Sequence, residues 1–537
     1  MKVKKIISGL LVLVMLCGLL TGCGGKESDT SAEGGKLKVG IPQRVSVTSY
    51  DENAYTNYIE ENTGVDIEFM YFSSTVSEYQ QQLALMASSN EEFPDVLIGF
   101  NGLGSRNANQ YGEDGYFVDL TDLIEEHATT YKAQYEKLSD SVKELVNVKM
   151  VNPDDGKIYG MPMVGQVLID NIQSLCFINQ TWLDKVGMAA PTTVEELYNV
   201  LKAFATKDPN GNGIADELPM LGGTMLIDYV VNSFIYYERN HPYNIEDGSV
   251  YAPFKTDEFR EALKWLNKMC EEGLYSDLSF TVTSNTELKN LYTPASGTAT
   301  VGIWCGHPSN KTNTASAILD EYVALAPLNA STEKGGYLVV ADESVNLSAF
   351  ITKDCEDTAL AMKFIDFFYE DETVTRGRHG AKGVDWEEGT GTDIYGNEIA
   401  TVILNEQAFF EGEQTWCANV CGIQTAQNYN CISSEDNEAG AKTTKLLAGS
   451  YALVDQYPLK EDTVRNLEYT ADEDQIKEQY EATIHEYVGE QTNLFIMGTI
   501  DIENDSAWKS YVSQIDALNL AEVLKVKQAA YERTNAR

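Results

Sequence analysis

Strand-type and helix-type patterns alternate through the first hundred residues, and this alternation constrains the fold more than any other feature. The patterns follow one another in the order 36–41 (strand), 50–62 (helix), 65–72 (strand), 78–88 (helix) and 93–98 (strand). Strands that alternate with helices favour an α/β fold with a largely parallel sheet. Ligands of such sheets bind beyond the carboxyl ends of the strands, so we expect a binding region at residues 42–51 and 99–104.

The N-terminus has the pattern of an exported lipoprotein. Lysines at positions 2, 4 and 5, an apolar run over residues 6–20 and an LTGC segment ending at Cys23 follow one another. This order is similar to a bacterial signal peptide with a lipobox, whose cysteine is diacylated and becomes the mature N-terminus. We therefore predict a signal peptide at 1–22, and lipidated Cys23 with a flexible Gly- and Ser-containing tether at 23–36. The predicted location is extracytoplasmic, anchored to the bacterial cell membrane by lipid. An uncleaved membrane span is disfavoured because the apolar run is shorter than the ~20 residues that a span needs.

The charge of the chain argues against nucleic acid as a partner. Asp and Glu number 82 and Lys and Arg number 39, a formal charge of −43, which becomes −46 once the three lysines of the signal peptide are removed. Non-specific binding to nucleic acid needs a basic face. With 537 residues, 43% of them hydrophobic, the chain is long enough for two or more packed domains.

The cysteines outside the predicted signal and lipid site do not form a regular disulfide framework, because their number is odd. They are Cys176, Cys270, Cys305, Cys355, Cys417, Cys421 and Cys431. We expect most of them to be small buried apolar residues. A zinc site made from the last three with His379 is an alternative, but it lacks a second closely spaced pair of ligands.

Residues 208–217 have the spacing of a calcium-binding loop. Positions 1, 3, 5, 7 and 9 of an EF-hand loop correspond to oxygen-bearing residues here, and a glycine stands at position 6. The predicted ligands are Asp208, Asn210, Asn212, the Ile214 carbonyl, Asp216 and Glu217. Position 12 is Pro219 instead of Glu, so Glu217 is expected to take the bidentate role in a shortened loop. The predicted calcium ion is structural, and the alternative is an Asn-Gly turn without metal.

Motifs of enzyme chemistry are not evident, and we predict that the chain is not an enzyme. It has no GxSxG, Walker, HExxH or strand-linked GxGxxG sequence, and its five histidines are scattered. A glycosidase pair of carboxylates stays open, because 82 acidic residues produce any spacing by chance.

The aromatic residues favour a ligand with flat apolar faces and polar edges, such as a sugar. The chain has 30 Tyr, 18 Phe and 6 Trp. Sugar rings stack on aromatic side chains while their hydroxyl groups bond to polar residues. Trp304, Trp386 and Trp416 are predicted to lie in loops, where each is a candidate for ligand contact or for packing. Trp182 and Trp265 lie in helical patterns and are predicted to be core residues.

Several segments resemble family 1 of the extracellular solute-binding proteins, the binding subunits of ABC importers for sugars and oligosaccharides. The segments are EYQQQLALMASSNEEFPDVLI, GYFVDLTDLIEE, DGKIYGMPM, INQTWLDKVGMAAPTTVEELYNVLKAFATKDPNGNG and ASGTATVGIW. The resemblance is greatest to the branch that includes alginate-oligosaccharide-binding lipoproteins, which carry a calcium loop of this pattern ending in adjacent Asp and Glu. The turn at residues 380–383 departs from the Gly-Ile-Glu-Gly that is common there.

The resemblance implies a two-lobed periplasmic-binding-protein fold of the second type, with a hinge and a ligand cleft between the lobes. It implies that lobe 1 contains residues 37–165 and 330–385, and that lobe 2 contains 166–329 and 386–537. The implied crossings lie near 161–170, 328–337 and 383–386. The implied function is capture of a carbohydrate by closure of the lobes, in a monomer that docks on the permease subunits of an ABC transporter.

The ligand contacts predicted from loop position are Tyr50, Phe100, Asn101, Trp304, His307, Trp386 and Trp416. Three other functions stay open: sensing with a receptor kinase, adhesion as a surface lipoprotein, and binding of a non-sugar ligand such as a peptide. The overall negative charge favours neutral sugars over uronates, unless Arg44, Arg106, Arg239 or Arg378 forms a local clamp.

Overall fold

The computed structural model describes most of the chain beyond the predicted tether. The described residues are 35–165, 172–173, 175–282, 284–330, 334–340, 344–390, 401–405, 408, 412–416, 420–424, 432–433, 438–460, 464, 467 and 469–535. The predicted signal peptide and Cys23 lie outside them. Among the described residues, no helix combines the length and the apolar character needed to cross a membrane.

The strands are short and lie between residues 36 and 433. Strands β1 to β15 are, in chain order, Lys36–Gln43, Asp66–Ser73, Val96–Ile98, Met161–Gly165, Cys176–Asn179, Leu218–Met220, Asn244–Glu246, Ser249–Tyr251, Val301–Cys305, Tyr322–Ala324, Ser344–Ile351, Trp386–Glu388, Thr401–Ile403, Gly422–Gln424 and Ile432–Ser433. The first three confirm the strands predicted in the first hundred residues.

Helices fill most of the connections between the strands. Helices α1 to α19 are, in chain order, Ala54–Thr63, Val76–Ser89, Ser105–Glu113, Thr121–His127, Thr129–Tyr135, Asp140–Met150, Gln180–Val186, Val194–Thr206, Thr224–Val231, Asp257–Glu271, Leu278–Thr281, Asn285–Tyr292, Pro308–Lys311, Thr358–Phe367, Asp371–His379, Glu438–Tyr451, Ala471–Ile496, Asp505–Ala517 and Leu520–Asn535. Two 3-10 turns lie at Pro253–Lys255 and Ala317–Glu321.

Local sequence explains where the first helix begins and ends. The Asn53 side chain accepts a hydrogen bond from the Tyr55 backbone N–H, which satisfies one of the unpaired donors of the first turn. Gly64 ends the helix with a φ of 70°, a conformation that costs glycine little because it lacks a Cβ. The chain can therefore reverse directly from α1 into β2.

The first lobe is built on a six-stranded sheet with the strand order β14-β4-β11-β3-β1-β2. Strand β1 pairs in parallel with β2 and β3, whereas β11 runs antiparallel to both of its neighbours, β3 and β4. Strands β1, β3 and β4 consequently point the same way, and their carboxyl ends meet at one edge of the sheet. This arrangement confirms the predicted α/β fold.

The second lobe is built on a four-stranded sheet with the strand order β10-β5-β9-β6. Strands β6 and β9 are parallel to each other, and β5 runs antiparallel to β9. The lobes have separate hydrophobic cores, one within residues 37–164, 345–369 and 416–423, the other drawn from residues 172–328, 338 and 446–523. Trp182 lies in α7 and is fully buried in the second core, and Trp265 of α10 packs against that core, as predicted.

In the described part of the chain, two connections pass from one sheet to the other. The first crossing lies between β4 and β5, and the second lies between β10 and β11. An isolated bridge joins Ile172 to Val340, so that the two crossing segments are paired with each other. Paired crossing segments are suited to act as a hinge, because the lobes can move when the backbone torsion angles of a few residues in these segments change.

The third predicted crossing, at 383–386, is wrong. Strand β14 lies in the sheet of the first lobe, parallel to β4, and Trp416 lies in the core of that lobe. Helix α16, further along the chain, packs against β10 of the second lobe's sheet. Part of the range 386–537, which was assigned to lobe 2, therefore belongs to lobe 1. This follows from the pairing of β14 with β4 and from the packing of Trp416 in the core of the first lobe.

Candidate ligand-binding cleft and metal loop

The topology places the carboxyl ends of strands from both lobes at the interlobe boundary. In the first lobe, β4 leads directly into the crossing, and β1 and β3 run parallel to it. In the second lobe, β5 leads away from the crossing, so the antiparallel β9 and its parallel neighbour β6 point back towards it. The loops after β1, β3, β6 and β9 border one cleft, the position where open α/β sheets bind ligands.

An ion pair spans the two lobes beside this cleft. Arg106, in the first turn of α3, has its guanidinium 4.0 Å from the Asp474 carboxylate and 3.9 Å from the Glu478 carboxylate. Both acids lie near the start of α17 in the second lobe. Because the pair joins side chains of different lobes, its distances depend on how closely the lobes approach each other.

The loop after β3 places one predicted residue in the core and the other beside the cleft. The Phe100 ring has no exposed surface and packs edge-on against Phe72 and Tyr79, with centroids 5.1 and 5.0 Å away. Asn101 is partly exposed, and its amide nitrogen is 3.5 Å from the sulfur of Met163. Its Oδ1 atom is buried and has no hydrogen-bond partner among the described residues. An unpaired buried oxygen of this kind suits a ligand hydroxyl group.

Tyr50 and Trp416 are brought together, but as buried packing partners. Their ring centroids are 6.0 Å apart, and their side chains are 1% and 2% exposed. The Tyr50 hydroxyl donates to the Pro42 carbonyl at 3.1 Å, and the Trp416 indole nitrogen donates to the Thr56 hydroxyl at 2.8 Å. In this conformation both rings support the loop after β1 and present almost no surface to a solute.

Tyr71, near the end of β2, was not singled out from the sequence. Its side chain is 41% exposed, and its hydroxyl donates to the Asp51 carboxylate at 2.8 Å. The ring stacks on Phe69, with centroids 6.1 Å apart. An exposed aromatic ring held by a carboxylate matches the requirements of sugar stacking. The alternating pattern of β2, together with an acid in the loop after the neighbouring strand β1, was the signal that could have identified it.

In the second lobe, Trp304 is a core residue and does not lie in a loop as predicted. It belongs to β9, has no exposed surface, and stacks on Tyr292 at 5.3 Å and tilts against Phe177 at 4.6 Å. The apolar run that was read as the strand includes Trp304 itself, so the ring points into the core.

His307 lies at the cleft, in the turn that follows β9. It is partly exposed and precedes the short helix α13. Gly306 before it has a φ of 132°, and a Cβ at that position would lie 2.7 Å from the Lys311 side chain. The sharp turn that presents His307 therefore needs glycine for both its backbone angle and its space.

Trp386 is 4% exposed and bonds to the turn at residues 380–383, where the sequence departs from Gly-Ile-Glu-Gly. Its indole nitrogen donates to the Gly380 carbonyl at 2.9 Å. The adjacent Asp385 carboxylate accepts bonds from the Ala381 backbone and the Asn405 side chain at 2.7 and 3.0 Å. The Lys382 ammonium lies over the Trp386 ring, 5.4 Å from its centroid.

A disulfide joins Cys176 to Cys305 at the cleft end of the second sheet, which the odd number of cysteines had not suggested. The two residues are directly opposite each other on β5 and β9. Cys355 and Cys421 are buried free thiols, in agreement with the expectation for most cysteines. The alternative zinc site involves residues 417 and 431, which lie outside the described residues.

The calcium-type loop lies at the opposite end of β6 from the cleft. It connects α8 to β6 and is organised by its own side chains. Asp208 accepts from the backbone N–H groups of Gly211 and Gly213 at 3.0 and 3.1 Å. The Asn210 and Asn212 side-chain oxygens accept from the backbone two residues ahead, at 3.0 and 2.7 Å. The backbone thus curls around a cluster of oxygen atoms.

One atom of this loop fits a role in holding a cation. The Glu217 Oε1 atom is buried, and no residue in the described part of the chain forms a hydrogen bond with it. Burial, together with the neighbouring charges of Asp208 and Asp216, raises the pKa of the Glu217 carboxyl. The described residues contain no cluster of three or more His, Cys, Asp or Glu side chains placed to hold a metal. The loop differs from such clusters because Asn210 and Asn212 supply amide oxygens.

Comparison with known proteins gives one family. The model of the bacterial extracellular solute-binding proteins matches residues 42–375, more than half of the chain. A fructooligosaccharide ABC transporter substrate-binding protein, FusA of Streptococcus pneumoniae, is 23% identical over all of this chain and 99% of its own. The polygalacturonan/rhamnogalacturonan-binding protein YtcQ of Bacillus subtilis is 24% identical over 71% of this chain and 74% of its own.

Solved structures agree on the fold. An extracellular solute-binding protein of Bifidobacterium longum subsp. infantis has a TM-score of 0.74 at 19% identity and covers 93% of this chain and 98% of its own. An EF-hand mutant of FusA in complex with fructo-nystose has a TM-score of 0.71 at 21% identity, with 93% and 99% coverage. The alginate-binding protein AlgQ2 without calcium ion has a TM-score of 0.63 at 22% identity, with 93% and 98% coverage.

Proposed function

The chain belongs to the bacterial extracellular solute-binding protein family, and from that premise we propose that it captures an oligosaccharide between its two lobes and delivers it to the permease of an ABC importer. The observation that carries the proposal is the meeting of strand ends from two separately cored lobes at one cleft. Relatives whose names state an oligosaccharide or polysaccharide ligand support the choice of carbohydrate.

Capture depends on closure of the lobes over the ligand. An open receptor and a closed one exchange, and a ligand shifts the balance only by its greater affinity for the closed form. On the first lobe, the unpaired Asn101 oxygen accepts a sugar hydroxyl, and the exposed ring of Tyr71 offers a stacking face. On the second lobe, the turn after β9 brings His307 to the same sugar. The Arg106 pair with Asp474 and Glu478 favours the closed arrangement.

A second element of the proposal is a lipid anchor. The basic, apolar and LTGC segments that end at Cys23 support cleavage before this cysteine and its acylation. Two acyl chains give stable attachment to a membrane, whereas one gives only marginal binding. The receptor body would then act outside the cytoplasmic membrane as a tethered monomer.

A third element is a structural calcium ion in the loop between α8 and β6. The residues that would hold it are Asp208, Asn210, Asn212, the Ile214 carbonyl, Asp216 and Glu217. The ion would supply fixed positive charge that stabilises the converging oxygens and the loop that they form. Because this loop precedes β6 and the cleft follows it, the ion has no place in ligand contact.

Thermal unfolding of a soluble form beginning at residue 24 tests the function. The protein, loaded with calcium, is heated with each member of a panel of neutral and acidic oligosaccharides. A ligand present at 100 times its dissociation constant adds about 2.7 kcal/mol to the free energy of unfolding. For lobes of this size, that stabilisation raises Tm by several degrees. A shift confined to peptides, or no shift with any saccharide, would contradict the proposed function.

A further inference from the structure

We propose that the cleft selects uncharged saccharides, because the basic side chains around it are already engaged within the chain. The inference rests on the proposed carbohydrate-binding function and adds the charge class of the ligand. Uronate oligosaccharides carry one carboxylate for each sugar, and proteins bind carboxylates with guanidinium and ammonium groups. We name six basic residues the cleft cations: Arg44, Arg106 and Lys311, which follow β1, β3 and β9; Arg239, which follows α9; Lys477, on α17 with the partners of Arg106; and Arg378, on α15.

Arg239 forms an ion pair with the Asp228 carboxylate. Its Nε and Nη2 atoms donate to both oxygens of Asp228 at 2.7 to 3.1 Å, a bidentate arrangement. Asp228 lies on α9, the helix that follows β6 away from the cleft. A ligand carboxylate that approached the remaining N–H groups of Arg239 would share the guanidinium charge with Asp228 and would be repelled by that carboxylate.

Arg106 and Lys477 are balanced by the two acids at the start of α17. Arg106 faces Asp474 and Glu478, and the Lys477 ammonium donates to Asp474 at 2.7 Å. The group contains two positive and two negative side chains and has no net charge. It therefore offers no attraction to a polyanion approaching between the lobes.

Arg44 and Arg378 also have interaction partners within the chain. Lys311 differs from the other cleft cations, because its ammonium donates to the amide oxygen of Asn285 at 2.8 Å and not to a carboxylate. Burial lowers the pKa of Lys311, so its surroundings disfavour the charged form. A single ammonium of this kind suits a sugar hydroxyl group and matches at most one of the several carboxylates of a uronate oligosaccharide.

The segments outside the described residues do not supply the missing charge. Between residues 166 and 468, those segments contain a single Lys or Arg, Arg465, among several Asp and Glu residues. The mature chain as a whole has a formal charge of −46. The surroundings of the cleft thus repel polyanions, and no local surplus of positive charge offsets the repulsion.

Calorimetric titration with two sets of probes tests this inference. Kestose, maltotriose and xylotriose are the neutral set, and tri-galacturonate and tri-guluronate are the acidic set. We expect saturable binding of a neutral sugar, with a Kd that changes less than about twofold between about 50 and 500 mM NaCl, and no binding of either uronate. Binding of a uronate in preference to every neutral sugar would overturn the inference and leave the carbohydrate-binding function intact. Absence of binding by both sets, on folded protein, would instead overturn the function on which the inference rests.

A charge-neutralising variant tests whether the engagement of Arg106 by acids excludes acidic sugars. The double substitution Asp474→Asn with Glu478→Gln releases Arg106, and we expect it to acquire measurable, salt-sensitive binding of tri-galacturonate. The matched control is Glu486→Gln with Glu490→Gln, which removes two exposed charges from the same helix without altering the Arg106 pair. A gain in the control equal to that in the first variant would show that overall charge, and not the engagement of Arg106, excludes acids. No gain in either variant would overturn the proposed cause. Circular dichroism checks that both variants are folded.

Discussion

The Asp208–Glu217 loop and the interlobe cleft lie at opposite ends of β6, and they differ in how their residues are brought together. The loop is contiguous, and its own side chains bond to its backbone within a few residues. The cleft takes Asn101 from one lobe and His307 from the other, 206 positions later in the sequence. The comparison teaches that the loop should govern the stability of one lobe, while the cleft should govern affinity and closure.

The largest effect is expected where a predicted cleft residue is in fact a core residue. Trp304→Ala should lower the free energy of unfolding by about 3–5 kcal/mol, because it removes a fully buried aromatic ring. Chemical denaturation measures this loss. Trp265→Ala, in a partly buried position on α10, is the control and should cost less. A small loss for Trp304→Ala together with a large loss of sugar affinity would return Trp304 to the cleft and break the comparison.

The next effect concerns the metal loop. Removing calcium with a chelator should lower Tm by about 5–10 °C, if calcium is present at 100 times its dissociation constant. The sugar Kd should stay within about threefold in the same samples. Asp208→Asn should abolish the response of Tm to the chelator, because it removes a ligand charge. A Kd that changes with calcium as strongly as Tm does would show that the two regions are coupled.

A smaller effect is expected at the cleft, where a substitution should change sugar affinity without lowering stability. Asn101→Ala should weaken sugar binding by about 3- to 10-fold, the value of one hydrogen bond, while leaving Tm of the ligand-free protein unchanged or slightly higher. The absence of a loss in stability follows from the unpaired Oδ1 atom, which costs free energy to bury. Calorimetry and thermal unfolding measure the two quantities. A fall in Tm without a change in Kd would assign Asn101 to packing.

The smallest effect is expected for the interlobe ion pair. Arg106→Gln should weaken neutral-sugar binding by less than about fivefold, because exposed ion pairs contribute about 0.2–1 kcal/mol. The difference between the variant and the original protein should shrink as salt is raised. A double-mutant cycle with Asp474→Asn measures the coupling. A coupling energy of zero would show that the pair does not help to hold the lobes closed.

Much of the fold followed from local sequence, because short-range patterns determined the elements themselves. The strands and helices of the first hundred residues and the core positions of Trp182 and Trp265 agree with the predictions. The family resemblance is also confirmed. These features depend on hydrophobic periodicity, helix capping and long matching segments, all of which can be read from one amino-acid sequence.

The missed features depend on contacts between distant segments. The assignment of β14 and Trp416 to the first lobe depends on pairing with β4 and on packing against Tyr50 and Tyr55, more than 200 residues earlier. The Cys176–Cys305 disulfide requires the register of β5 against β9, which no spacing in the sequence reveals. Cleft residues were predicted from loop position, and Trp304 shows that one residue of error in a strand boundary turns a core residue into a supposed ligand contact.

Small-angle X-ray scattering of the soluble protein, with and without a saturating saccharide, tests the central claim most directly. The claim is that two separately cored lobes close over a carbohydrate at their common boundary. It predicts that the bound protein has a smaller radius of gyration than the free protein and that the scattering curve fits a more closed arrangement. An unchanged radius of gyration for a saccharide whose binding calorimetry has established would contradict closure of the lobes as the means of capture.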